Sequence, residues 1–368
     1  MKRTFLVVAS LVICFSATMA LAQNAPARTP VGQLAGVIPG PNPKATPQPA
    51  GGNIPMWSSS FVFNNAVFPF TMVGTNPTQA GAGTTNVPIT IIPLALVFGG
   101  STIISPTGSA CGDTINVISR TQNSPLFTTN TTWIEGNTVV GVTQFTDAFQ
   151  RANFWSSVNT VSPNYHVLLS PVSVASPVMV NVPSSVGGIV GSACAGHPIG
   201  GVSINYLDSV VQNLIVSLHI PPTTLPLFLM YNIEELLGNG GAFLGYHSVT
   251  SSNQTYSVGS YVDAGLLGFN VADVSILSHE LGEWLDDPLG NNTVPSWGHV
   301  GQVTGCQNNL EVGDPLTGSN STVNTGSFIY HLQDLAFFSW FARENPSRAV
   351  NGWYSTLNAF AGPPPICQ

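Results

Sequence analysis

The stretch HELGEWLDD, residues 279–287, packs one imidazole and four carboxylates into nine positions of a chain with only 16 acidic residues and seven histidines in 368. Helical spacing sets His279 and Glu283 one turn apart on a single face. Asp286 and Asp287 lie three and four residues further on, where either can extend that face. Glu280 sits about 100° around the helix from His279, within reach of a water on a metal held by His279 and Glu283. This is the spacing of the His-Glu-x-x-His zinc helix with glutamate replacing the second histidine. Imidazole and carboxylate both ligate zinc, and Glu280 is then the candidate base for a metal-bound water.

A catalytic zinc needs a third protein ligand beside its water. The candidates, in order, are Glu311, Asp287, then His247 and Asp314, with His299 and His331 completing the pool. Glu311 and Asp314 form an E-x-x-D pair in "LEVGDP", on a loop able to fold back over the helix. The oxygen-rich subset Asp286, Asp287, Glu311 and Asp314 also suits calcium, as a second or alternative ion. Without a metal, Glu280, Glu283, Asp286 and Asp287 would form a solvated face, with His279 capping or hydrogen-bonding inside the core.

The element that positions these groups is predicted as a helix from Asp273 to Leu285. Asp273 can cap its first turn, and Pro288 and Gly290 discourage continuation beyond it. Val274, Ile276, Leu277, Leu281, Trp284 and Leu285 supply its core-facing surface. Gly282 costs about 1 kcal/mol of helix propensity against alanine and would let another segment approach closely. Before it, "TNVPITIIPLALVFGG" reads as a buried strand, and Thr146 as the cap of a helix bearing Phe149, Ala152 and Trp155. "SVVQNLIVSLHI" reads as helix, "PLFLMYNIEEL" and "GGAFLGYHS" as strands, and "QTYSVGSYVDAG" as a loop or edge region. Residues 295–327 read as a polar loop, and "FIYHLQDLAFFSWFAREN" as a closing apolar helix.

Lys2 and Arg3, a short apolar run and "ALA" at 20–22 have the order of a secretory signal, placing the chain outside the cell or in the periplasm with no membrane span after cleavage. Those two residues are two of the eight basic ones, leaving six against 16 acids, a formal charge of −10. The remaining basic residues form no patch, which argues against nucleic-acid binding. Residues 23–55 are rich in Pro, Gly and Ala and read as a disordered arm; 56–368 read as one domain. The cysteines at 111, 194, 306 and 367 lack metal-knuckle or redox spacing. In an exported chain they read as two disulfides, with Cys111–Cys194 and Cys306–Cys367 the favoured of three pairings.

His279, Glu280 and Glu283 resemble the core of the zincin metallopeptidases. A closer likeness is to poorly characterised exported bacterial proteins that combine such a helix with a Gly/Trp loop and an E-x-G-D turn, here "LSHELGEWLDDP", "PSWGHVGQ" and "LEVGDP". Plant Exordium-like proteins carry a related helix. The resemblance implies an α/β or α+β, zincin-like domain with a mixed sheet and an active-site helix. It also implies zinc on His279 and peptide-bond hydrolysis beneath an edge strand, although Glu283 stands where zincins place histidine. No G-x-S-x-G elbow or phosphate-loop lysine supports other chemistry. Two readings follow: a secreted zinc peptidase acting on peptides or proteins, or a non-catalytic exported protein on the same scaffold, binding cell-wall carbohydrate.

Overall fold

In the computed structural model, residues 36–37, 53–238, 240–266 and 271–368 are described; the stretch read as a signal and nearly all of the stretch read as an arm lie outside them. Strand β1 (Thr84–Phe98) is the spine of the main sheet. Its burial alternates at first and is continuous from Ile91 onward, marking where the sheet passes from one covered face to two. Strands β2 (His166–Val174) and β3 (Val178–Val182) pair parallel with β1 on one side, and β4 (Leu225–Tyr231) pairs parallel on the other. β5 (Gly245–Val249) and β6 (Thr255–Tyr261) form an antiparallel pair, and β6 runs parallel to β4. Gly36–Val37 adds parallel to β5, setting Val37 opposite His247. A second sheet and four two-stranded ribbons surround this one, so the fold is mixed α+β with several sheets and few helices.

Helices α1 (Phe145–Asn153), α2 (Ile204–Ser217) and α3 (Ser275–Asp286) follow. Asp208 of α2 accepts hydrogen bonds from Tyr246 and Tyr256 on one face of the sheet. The opposite face carries α3, and its seat is a pair of glycines. Gly245 and Gly259 are directly opposed across the β5–β6 ladder. A Cβ on Gly245 would lie 2.8 Å from Ile276 and 2.9 Å from Glu280, and one on Gly259 would lie 2.6 Å from Leu277. Removing both side chains brings the helix axis close to the sheet.

Several elements differ from expectation. "QTYSVGSYVDAG" contains β6, an interior strand buried throughout. Much of 295–327 is paired backbone: Thr293–Val300 with Val303–Asn309, and Asn320–Asn324 with Ile329–Gln333. That last strand also replaces the start of the expected closing helix, which shrinks to Phe338–Phe341. An apolar run cannot by itself separate a buried strand from a buried helix. Thr146 is buried inside α1, whose N-cap is Gln144, and Trp155 starts a separate turn. Both favoured disulfides are present. No helix among the described residues is long and apolar enough to cross a membrane.

Candidate metal centre

Every residue of α3 is buried. The helix begins at Ser275, two residues after the expected start. Asp273 precedes it with φ 44°, and its Oδ1 accepts from the backbone N–H of Val274 (2.6 Å) and His331 (2.9 Å). Gly282 does meet another segment: a Cβ there would lie 2.4 Å from Leu335.

His279 Nε2 lies 2.9 Å from Glu283 Oε1 and 3.6 Å from Asp314 Oδ1. Despite the first distance, Nε2 has no hydrogen-bond partner, and the closeness is electrostatic. Nδ1 is 3.1 Å from Gln333 Oε1, which assigns a proton to Nδ1, so that in the neutral ring the lone pair is on Nε2. Gln333 is itself held, donating to the Gly313 carbonyl (2.6 Å) while its own N–H bonds Ser278 Oγ.

The E-x-G-D turn closes the site from above. Gly313 N–H donates to Glu283 Oε1 at 3.1 Å. A Cβ on Gly313 would lie 2.4 Å from His279 Nδ1, so only glycine lets this backbone lie against the imidazole. Asp314 accepts from Gln302 and, at 3.0 Å, from Gln307, both supplied by the ribbon read as loop. Glu311 accepts from Asn309 at 3.1 Å. Sequence reasoning missed Gln302, Gln307 and Gln333, because a neutral amide on a strand carries no distinguishing pattern.

His247, from β5, enters from the sheet side. Its Nε2 lies 3.1 Å from the Asp287 carbonyl, while Nδ1 lies 3.3 Å from Glu280 Oε2 and 3.8 Å from Glu283 Oε2. Burial lowers this imidazole to about 4, so it is neutral at pH 7. With its proton on Nε2, a lone pair faces two carboxyl groups, an arrangement that requires a proton or a cation between them. Two donor sets result, His279–Glu283–Asp314 and His247–Glu280–Glu283, each with ligand atoms within 4.8 Å of one another and sharing Glu283.

The charges in the cluster are unequally held. Burial raises Glu311 far above the usual carboxylate range, with Glu283 and Asp314 adding repulsion. Burial and Glu283 lift Asp314 to about 8. Burial opposes ionisation of Glu283 too, but His279 and His247 hold it below its ordinary value. For His279, burial works against the charged form, and attraction to Glu283 and then Asp314 outweighs it.

Asp286 and Asp287 are engaged elsewhere. Gln150 and Asn153 donate to the Asp286 carboxyl group, tying α1 to α3. Asp287 accepts from the N–H groups of Asn291 and Asn292 and caps the turn after the helix. Neither belongs to a converging donor set among the described residues. His299 is exposed on the ribbon, and His331 pairs with Asp273 at 2.6 Å.

Each set offers one imidazole nitrogen and two carboxyl groups, donors that could hold a divalent cation such as zinc or calcium. Comparison of the chain with protein-family models, curated proteins and solved structures gave no match.

Proposed function

We propose that the protein is a secreted zinc-dependent hydrolase, most simply a peptidase, whose metal is held by His279, Glu283 and Asp314. The observation that carries this reading is the unpartnered, buried Nε2 of His279 set among carboxylates that repel one another. Glu311 completes or buffers the shell. Zinc in such a site supplies Lewis acidity and lowers the pKa of a bound water. Glu280 is one residue from His279 and shares His247 with Glu283, which suits it to hold the proton taken from that water. His247 orients Glu280, and Gln333 fixes the tautomer of His279. The likeness to zincins and to Exordium-like proteins rests on the quoted motifs and supports peptide substrates only by analogy.

A second reading draws on burial. His247, His279, Glu280 and Glu283 are fully covered, and neither of two surface clefts, one lined by Asn130–Glu135 and Ser321–Thr325 and the other by Arg120 and Tyr330, includes them. A closed site favours a structural ion in a non-catalytic binding protein.

Metal analysis of natively purified protein beside a peptide-library digest separates the two. The hydrolase predicts about one zinc per chain, lost in His279→Ala and Glu283→Ala; Glu280→Gln keeps the zinc and loses cleavage. Stoichiometric zinc without cleavage selects the structural ion. Wild type that takes up no metal on equilibration with zinc or calcium defeats both.

A further inference from the structure

A separate cluster lies at the carboxyl ends of β4 and β6, where neighbouring parallel strands open toward ligands in α/β sheets. Asp263 follows β6, and its side chain is fully buried. Its Oδ2 accepts from Tyr231 Oη (2.7 Å) and Asn232 Nδ2 (2.8 Å), and its Oδ1 from the Cys111 N–H (2.8 Å). Oδ2 also lies 2.9 Å from Cys111 Sγ and 3.5 Å from His197 Nδ1. His197 Nδ1 is 3.7 Å from that sulfur, and 2.6 Å from Tyr231 Oη. Cys111 is bonded to Cys194, three residues before His197 in "CAGHP".

We propose that this cluster is a redox-gated metal site: with the disulfide reduced, Cys111, Cys194, His197 and Asp263 bind one zinc-class ion. All four ligand atoms already lie within 4.8 Å of one another. A tetrahedron with Zn–S of about 2.3 Å and Zn–N or Zn–O of about 2.0 Å has edges of roughly 3.3–3.8 Å. The His197–Cys111 and His197–Asp263 separations match those edges; the two sulfurs must part, and Cys111 Sγ must draw back from Asp263 Oδ2, to reach them. Two thiolates, one imidazole and one carboxylate make a donor set suited to zinc over calcium or magnesium. Tyr231 and Asn232 continue to donate to Asp263, fixing its orientation from the second layer. The chemistry balances with a thiol reductant: the disulfide and two RSH give two cysteine thiols and RSSR. The thiols then release their protons as the ion binds. Under oxidising conditions the disulfide occupies both sulfurs and closes the site. Metal binding would therefore belong to the chain before oxidation, or after exposure to a dithiol.

Cobalt(II) is the probe, because thiolate coordination gives it an intense near-ultraviolet charge-transfer band absent from nitrogen and oxygen sites. The full chain is titrated with cobalt before and after anaerobic reduction by dithiothreitol, the excess reductant being removed. One equivalent with the thiolate band is expected only after reduction. The band should vanish in Cys111→Ser/Cys194→Ser and persist in Cys306→Ser/Cys367→Ser. That second variant excludes the weaker set formed by His299 with the other disulfide. His197→Gln should weaken binding at least tenfold while leaving circular dichroism unchanged. A reduced, folded chain without the band overturns the proposal. So does a band that survives loss of Cys111 and Cys194, or a reduced chain too unfolded to present the four ligands together.

Discussion

The α3 centre and the Asp263 cluster both bury a carboxyl group beside a histidine, but they satisfy it differently. Asp263 is met by three protein donors, from Tyr231, Asn232 and the Cys111 backbone, and is complete with the disulfide closed. At α3, Glu283, Glu311 and Asp314 crowd together, while His279 Nε2, Glu283 Oε2 and Glu311 Oε2 lack hydrogen-bond partners. Burial alone does not mark an ion site. Burial with acceptors facing acceptors makes a candidate, because a proton, a water or a cation has to stand between them.

The comparison predicts opposite signs for carboxylate removal. Asp263→Ala strands three buried donors and should destabilise the oxidised protein by about 3–5 kcal/mol, with or without zinc. Chemical denaturation in zinc and in chelator tests this; a loss that zinc can reverse would place Asp263 in the wrong class. Gly313→Ala drives a methyl into the His279 ring and should cost about 1–3 kcal/mol. It should also weaken zinc binding, read as a smaller zinc-induced rise in Tm than wild type gives.

Glu311→Gln relieves repulsion and should raise metal-free stability by about 1 kcal/mol while lowering zinc content. A destabilised metal-free variant would show that Glu311 is held by attractions rather than tolerated against repulsion. The smallest effect is a pH slope. In the metal-free protein Asp314, raised to about 8, and Glu311, also raised, retain protons that the unfolded chain releases near pH 4. Their contribution to stability is therefore full below pH 4 and is lost as pH rises toward 8. Zinc displaces those protons, so its apparent affinity should climb over the same range. Melting curves from pH 5 to 8, with and without zinc, should diverge as pH increases; parallel curves would detach these carboxyl groups from the metal.

The α3 centre was legible in sequence to the extent that it is local. His279 and Glu283 are related by helix geometry alone, and "LEVGDP" marked Glu311 and Asp314 by its concentration of acids. What escaped reading depends on strand pairing. Gln333 reaches His279 because Ile329–Gln333 is a strand, whereas its sequence runs into an apolar stretch that reads as helix. Gln302 and Gln307 reach Asp314 from a ribbon whose Gly, Asn and Ser content, with irregular register near Trp297 and Gly298, looks like loop. Asp286 and Asp287 had suitable spacing, yet the helix turns one toward α1 and ends at the other. Periodicity gives an angle around an axis; it does not say which neighbour waits there.

The glycine seat beneath α3 also sets a clock. With Gly245 and Gly259 bare, Ile276, Leu277 and Glu280 lie flush on the sheet, and the donor atoms are sealed between strand and helix. A bound ion would leave when either that contact or the Gly313 turn over His279 opens, so its residence time would be governed by the frequency of local opening as well as by bond strength. Captured zinc should then exchange with isotopically labelled zinc no faster than the quicker of the α3 amides and the Gly313 amide exchanges with deuterated solvent, and seat and turn together work as an escapement for the metal.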